Sequence, residues 1–178
     1  GKIMLKTIGV ENYRTFPSGS EFEIAPVTIL LGANSSGKSS ITRLLPLFAQ
    51  SLTMKSSAPI LWVSDNLDYG SFYDNVHNHD TEKDITLTFR GDFRPVHRYT
   101  RINPQSSPTE TPFCYKISIS GDNEITNISS IDITIHGKNV RIPTRYGGLV
   151  RQVFFDGWDA KEILRDRMII FRDGLFPG

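Results

Sequence analysis

Cysteine is almost missing from this chain: Cys114 is the only one in 178 residues. An internal disulfide and a cysteine-rich zinc site are therefore excluded. In "TPFCYKISIS" Cys114 takes one position of an alternating strand pattern. Long apolar runs are missing too. The longest clean one, Val27 to Leu31, is strand-sized, against the roughly 20 residues that cross a bilayer. Charge of one sign is not in excess, since 20 Lys and Arg face 19 Asp and Glu for a net charge of +1. Only local clusters can therefore speak for nucleic acid. The N-terminus lacks the long apolar region and small-residue cleavage site of a signal peptide, and Met4 is the expected natural start. No G-x-S-x-G elbow, no H-E-x-x-H and no nuclease-like carboxylate cluster occurs. What remains is a single globular unit with 38% apolar and 22% charged residues, large enough to bury a core and expected in the cytoplasm, with no membrane partner.

The periodicity divides the chain. Ile3, Leu5, Ile8 and Val10 predict a strand with an irregularity near Thr7, and Phe22 and Ile24 predict a second. Val27 to Leu31, apolar apart from Thr28, predicts a third strand covered on both faces. Ile41, Leu44, Leu45, Phe48 and Leu52 then fall on one helical stripe, which Pro46 should kink or shift. The stretch from Ser56 to Asp80 reads as loop-rich. From Asp84 the period becomes two, through Ile85, Leu87 and Phe89, then Phe113 to Ile119, then Ile131 to Ile135. This predicts an antiparallel sheet with one solvated face. Ile163, Leu164, Arg167 and Met168 return to helical spacing. The expected organisation is one unit over 3–178: a core at 3–55, an antiparallel β-lobe at 84–145 and the start of a helical segment at 146–178.

Between the third predicted strand and the helix lies Gly32-Ala33-Asn34-Ser35-Ser36-Gly37-Lys38-Ser39, which matches G-x-x-x-x-G-K-[ST] at every fixed position. Glycines at its ends let main-chain N–H groups approach a phosphate closely. The following helix adds unpaired N–H donors and a partial positive charge. Lys38 would reach the β- and γ-phosphates of ATP, Ser39 would complete a Mg²⁺ shell, and Ser40 would donate to the α-phosphate. The alternative is a chance match in an ordinary strand–turn–helix.

The order of elements around this loop resembles the N-terminal lobe of ABC-type ATPase heads of the RecF, SMC and OLD kind. The resemblance rests on the aromatic-basic turn "NYRTF" (Asn12 to Phe16), on "GANSSGKS", and on the β-lobe that follows. Within that group the chain is most similar to bacterial AAA-labelled ATPases, through "NSSGKSS" and "DYGSFYDNVHNHD" (Asp68 to Asp80). The resemblance implies an α/β fold: a P-loop NTPase ABC-head N-terminal lobe with an antiparallel β-subdomain. It implies ATP and Mg²⁺ as ligands and a second ATPase head as partner. It also implies a role in DNA repair or anti-phage defence, of the Septu-like or retron-associated kind, with an associated effector protein. By the same carry-over Arg14 approaches the nucleotide's base or phosphates, and Asn34 contacts phosphate or the second subunit. The Gly70-Ser71-Phe72 turn reads either as a neighbour of the nucleotide or as a purely structural turn.

Hydrolysis in that class needs an aspartate ending an apolar strand, a following glutamate and an LSGGQ-like signature. The only local approximation is "VFFDG", where Gly157 follows Asp156, and an ordinary turn aspartate is the competing reading. The missing motifs are expected in a second lobe beyond this chain, so ATP hydrolysis is expected in the full-length protein and not in these residues alone. A P-loop small-molecule kinase and a nucleotide-binding scaffold without turnover are the rival readings. Arg90, Arg94, Arg98 and Arg101, interleaved with Phe93 and Tyr99, could track a DNA backbone or line a solvated hairpin. Lys138, Arg141, Arg145 and Arg151 form a second acid-free stretch with the same ambiguity. His77-Asn78-His79 spells HNH only literally, and a polar turn is the expected role.

Overall fold

The computed structural model describes residues 2–33, 37–53, 60, 62–63, 68–94, 110–145, 149–150 and 152–159. Its frame is one nine-stranded sheet in which every paired neighbour runs antiparallel. The strands are β1 (Lys2–Glu11), β2 (Ser20–Glu23), β3 (Ile85–Arg94), β4 (Thr111–Gly121), β5 (Thr126–Ile135), β6 (Lys138–Arg145), β7 (Leu149–Val150), β8 (Phe154–Phe155) and β9 (Trp158–Asp159). Their order is β2-β1-β3-β4-β5-β6-β8-β9, with β7 on β6.

The period-two stretches are strands as predicted. Ile85 and Leu87 on β3, Ile117 and Ile119 on β4, and Ile128 and Ile131 on β5 form one buried face. The irregularity expected near Thr7 is a register shift between Leu5 and Thr7, where β1 meets β3. This places Lys6 at a bulge, and its ammonium pairs with Asp92. Past β6 the described residues end in a hairpin, β8–β9, around Asp156 (φ 47°) and Gly157 (φ 82°), a left-handed pair suited to a two-residue turn. The helical spacing at Ile163 to Met168 lies outside the described residues.

Helix α1 (Lys38–Thr53) runs through Pro46 without a break. Leu44 and Leu47 are its buried contacts, with Ile41 packed against the core. Leu45, expected on the buried stripe, is 51% exposed instead. The buried face runs through positions 44 and 47, a spacing of three that leaves position 45 turned outward. A second, four-residue helix, α2 (Phe72–Asn75), and a 3₁₀ turn (His77–His79) lie between α1 and β3.

The predicted third strand does not form. Val27 to Leu31 lies outside every strand. Thr28 and Leu30 face an apolar groove lined by Ile8, Phe22, Ile41 and Leu44. Val27, Ile29 and Leu31 point the other way and are 79, 76 and 89% exposed. The reason is that a strand is a property of pairs: its N–H and C=O groups need a neighbour, and no described residue lies alongside as one. Among the described residues no helix is long and apolar enough to cross a membrane.

Candidate nucleotide-binding site

The site begins where Gly37 meets the turn after β1. Tyr13 and Phe16 close that turn by exchanging two main-chain hydrogen bonds, 3.0 and 2.9 Å long. The Phe16 ring packs edge-on against Phe22 of β2 at 5.5 Å. Its tip lies so close to Gly37 that a Cβ there would stand 2.5 Å from Phe16 Cζ and 2.7 Å from Thr15 Oγ1. Gly37 also has φ +88°, a region costly for any residue with a side chain. The second glycine of the phosphate loop is thus required twice, by its own backbone and by an aromatic ring 21 positions back. Gly37→Ala is expected to push the ring off the loop, costing about 1–3 kcal/mol of stability for overpacking and strain. Nucleotide affinity should fall with it, and chemical denaturation alongside an ATP titration reads both effects.

Beyond Gly37 the first helical hydrogen bond is Ile41 N–H to the Gly37 carbonyl, at 3.1 Å. The N–H groups of Lys38, Ser39 and Ser40 therefore have no acceptor inside the helix and remain as donors at its positive end. Ser40 is buried, Ser39 is exposed and Lys38 is half-buried. The Lys38 ammonium donates to the carbonyls of Gly32 and Ala33, at the opposite end of the loop. Asn34, Ser35 and Ser36 lie outside the described residues. A strained glycine, a helix start with free donors and a lysine reaching across the loop suit a bound triphosphate. The exposed Ser39 hydroxyl suits a Mg²⁺ ion beside it. When bound, the metal would neutralise phosphate charge.

Arg14 belongs to the same turn, between Tyr13 and Thr15. Its neighbour Tyr13 is buried and donates from its hydroxyl to the Ser40 carbonyl at 3.4 Å, tying the turn to the first turn of α1. The Arg14 guanidinium lies 5.9 Å from the Tyr13 ring centre. Burial pushes the Tyr13 phenol's pKa upward, while the charge and hydrogen bonding of Arg14 oppose that rise.

Asp68 to Asp80 turns out to be the brace for the same turn. Asp68 Oδ1 accepts from Gly70 N–H, and Ser71 and Asp74 form a capping box that starts α2. Hydrogen bonds from the Ser71 backbone and hydroxyl hold the Asp74 carboxyl below its ordinary pKa. Phe72 and Val76 enter the core, and Val76 bridges to Tyr13. The Gly70-Ser71-Phe72 turn is therefore a helix start. The His77 and His79 rings face different carbonyls, those of Arg14 and Tyr73, and His79 stacks on Tyr73 at 4.4 Å. Among the described residues no cluster of metal-binding side chains forms.

The remaining sequence candidates are scattered. Asp156 sits in the β8–β9 turn, accepts from Asn139 N–H and pairs with Lys138 at 2.9 Å. It is an ordinary turn aspartate. Arg90 pairs with Glu21 at 2.9 Å, and Arg141 lies 3.9 Å from Asp132. The side chain of Arg94, and Arg98 and Arg101 altogether, lie outside the described residues. The sequence reading missed Tyr13, Phe16, Asn75 and His77 as parts of the site. One signal was available, the Ser71-x-x-Asp74 spacing that announces a helix start.

A family model described as an AAA ATPase domain matches residues 4–145. The chain belongs to that family. Membership supports ATP binding and ATPase function, and the match takes in the phosphate loop and the strands from β1 to β6. No curated protein matches the chain.

Proposed function

We propose that this AAA ATPase domain is the N-terminal lobe of an ABC-type head of the SMC/RecF/OLD kind. ATP and Mg²⁺ bind at Gly32 to Ser40, and turnover requires a second head. The observation that carries this reading is the packing of the Tyr13–Phe16 turn on Gly37 and on the first turn of α1. On this reading the β1–β2 turn is part of the nucleotide site, with Arg14 as its charged member. The bare row of Val27, Ile29 and Leu31 is compatible with a further lobe packing there, carrying the acid and signature motifs that this chain lacks.

DNA and an effector protein are the proposed partners, in DNA repair or anti-phage defence within the cytoplasm. Arg90, Arg94, Arg98 and Arg101 are the arginines proposed to face DNA, with Arg90 also paired to Glu21 at the surface. The purified chain is expected to release no phosphate from ATP and Mg²⁺ beyond the background of Lys38→Ala. Sustained release from the chain, lost in that variant, would show that these residues hold a complete catalytic site.

A further inference from the structure

Asn75 is wholly buried, yet it is a polar side chain on a four-residue helix. Burial of an amide is tolerable only if its hydrogen bonds are made. Its Nδ2 donates to the carbonyls of Tyr69 at 2.8 Å and Ser71 at 2.6 Å. Both acceptors are carbonyls, so the amide's orientation is determined: the nitrogen faces them and Oδ1 faces away. Oδ1 accepts from Arg14 Nε at 2.9 Å, across 61 positions of sequence. The Asn75 main-chain carbonyl accepts from Arg14 N–H at 2.7 Å. One residue thus holds both the backbone and the side chain of Arg14.

His77 completes the clamp. Its Nδ1 lies 2.5 Å from the Arg14 carbonyl. Because a carbonyl only accepts, Nδ1 must carry the hydrogen. His77 N–H reaches the Asn12 carbonyl at 3.1 Å. Between these contacts Arg14 takes φ +49° and Asn12 φ +55°, left-handed conformations that non-glycine residues hold only when their surroundings impose them. The guanidinium is thereby held beside Tyr13, whose hydroxyl is bonded to Ser40 on the phosphate-loop helix.

We propose that Asn75 and His77 are positioning residues of the nucleotide site. By fixing the left-handed turn at Arg14 they set where its guanidinium stands, and ATP affinity depends on them although neither touches the nucleotide. This rests on the reading that Arg14 contacts bound ATP.

The test measures binding of a fluorescent ATP analogue to the chain and to variants that retain the parent's circular dichroism spectrum. Arg14→Ala should weaken binding about tenfold, the size of one charge-assisted hydrogen bond. His77→Ala should weaken it severalfold. His77→Asn, whose amide nitrogen falls close to the position of Nδ1, should restore it to within about twofold of the parent. Arg14→Ala combined with His77→Ala should bind no worse than Arg14→Ala alone, because the clamp acts only through the arginine. Asn75→Ala should follow the same pattern, and the His77 series stands alone if that variant does not fold. Unchanged affinity in Arg14→Ala would remove both the nucleotide contact and the clamp's purpose. A loss in Arg14→Ala with none in His77→Ala would keep the contact and overturn the positioning role. Additive losses in the double variant, or no rescue by asparagine, would also overturn it.

Discussion

Phe72→Ala is expected to destabilise the chain by about 3–5 kcal/mol, the usual range for emptying a fully buried phenylalanine site. Phe72 has no exposed surface and belongs to the central cluster with Val10, Ile85, Ile119 and Leu44. Gly121 of β4 approaches so closely that a Cβ there would lie 2.9 Å from Phe72 Cγ, so the ring fills its place without slack. At roughly 2–4 °C per kcal/mol for a chain of this size, the melting temperature should fall by about 10 °C. The adjacent residue is the control. Tyr73 is 38% exposed and stacks on His79 at the surface, so Tyr73→Ala should cost no more than about 1 kcal/mol. Equal losses at the two positions would mean that α2 is not seated in the core by Phe72.

This outcome reaches the nucleotide site, because Phe72 opens the helix that ends in Asn75. The residues of "DYGSFYDNVH" divide their work by burial. Phe72 and Val76 anchor the segment in the core, Ser71 and Asp74 begin the helix, and Asn75 and His77 grip the turn at Arg14. Two short motifs separated by some sixty positions are one structural unit.

Alternation made the sheet legible. Ile85 and Leu87, then Ile117 and Ile119, show their buried face in one dimension because strand side chains alternate regardless of the partner. The bulge near Thr7 was legible for the same reason, as a break in the alternation. Val27 to Leu31 was not, because an apolar run states a preference for burial but cannot say whether a neighbour exists to pair with it. The turn reading of Asp156 holds for a local reason too, since a D-G pair between aromatic residues is a hairpin signal. The phosphate-loop motif could be read from the sequence because its glycine and lysine spacing is a local requirement. The clamp on Arg14 was not. It joins residues 61 and 63 positions apart, and periodicity carries no information about such contacts.

The second large effect falls on Lys38. Its ammonium is held over the loop by the carbonyls of Gly32 and Ala33, which are neutral acceptors. Phosphate oxygens carry charge, and hydrogen bonds to charged groups contribute about 1.5–3 kcal/mol each. Contacts to the β- and γ-phosphates together therefore account for at least a hundredfold in affinity. The half-buried side chain makes no core contact among those described, so Lys38→Ala should leave the fold intact.

Calorimetric titration of ATP with Mg²⁺ into the chain and into Lys38→Ala, both folded by circular dichroism, tests the nucleotide site most directly. Saturable binding in the parent and none detectable in the variant is the predicted result. Equal affinity in the two would contradict ATP binding at Gly32 to Ser40.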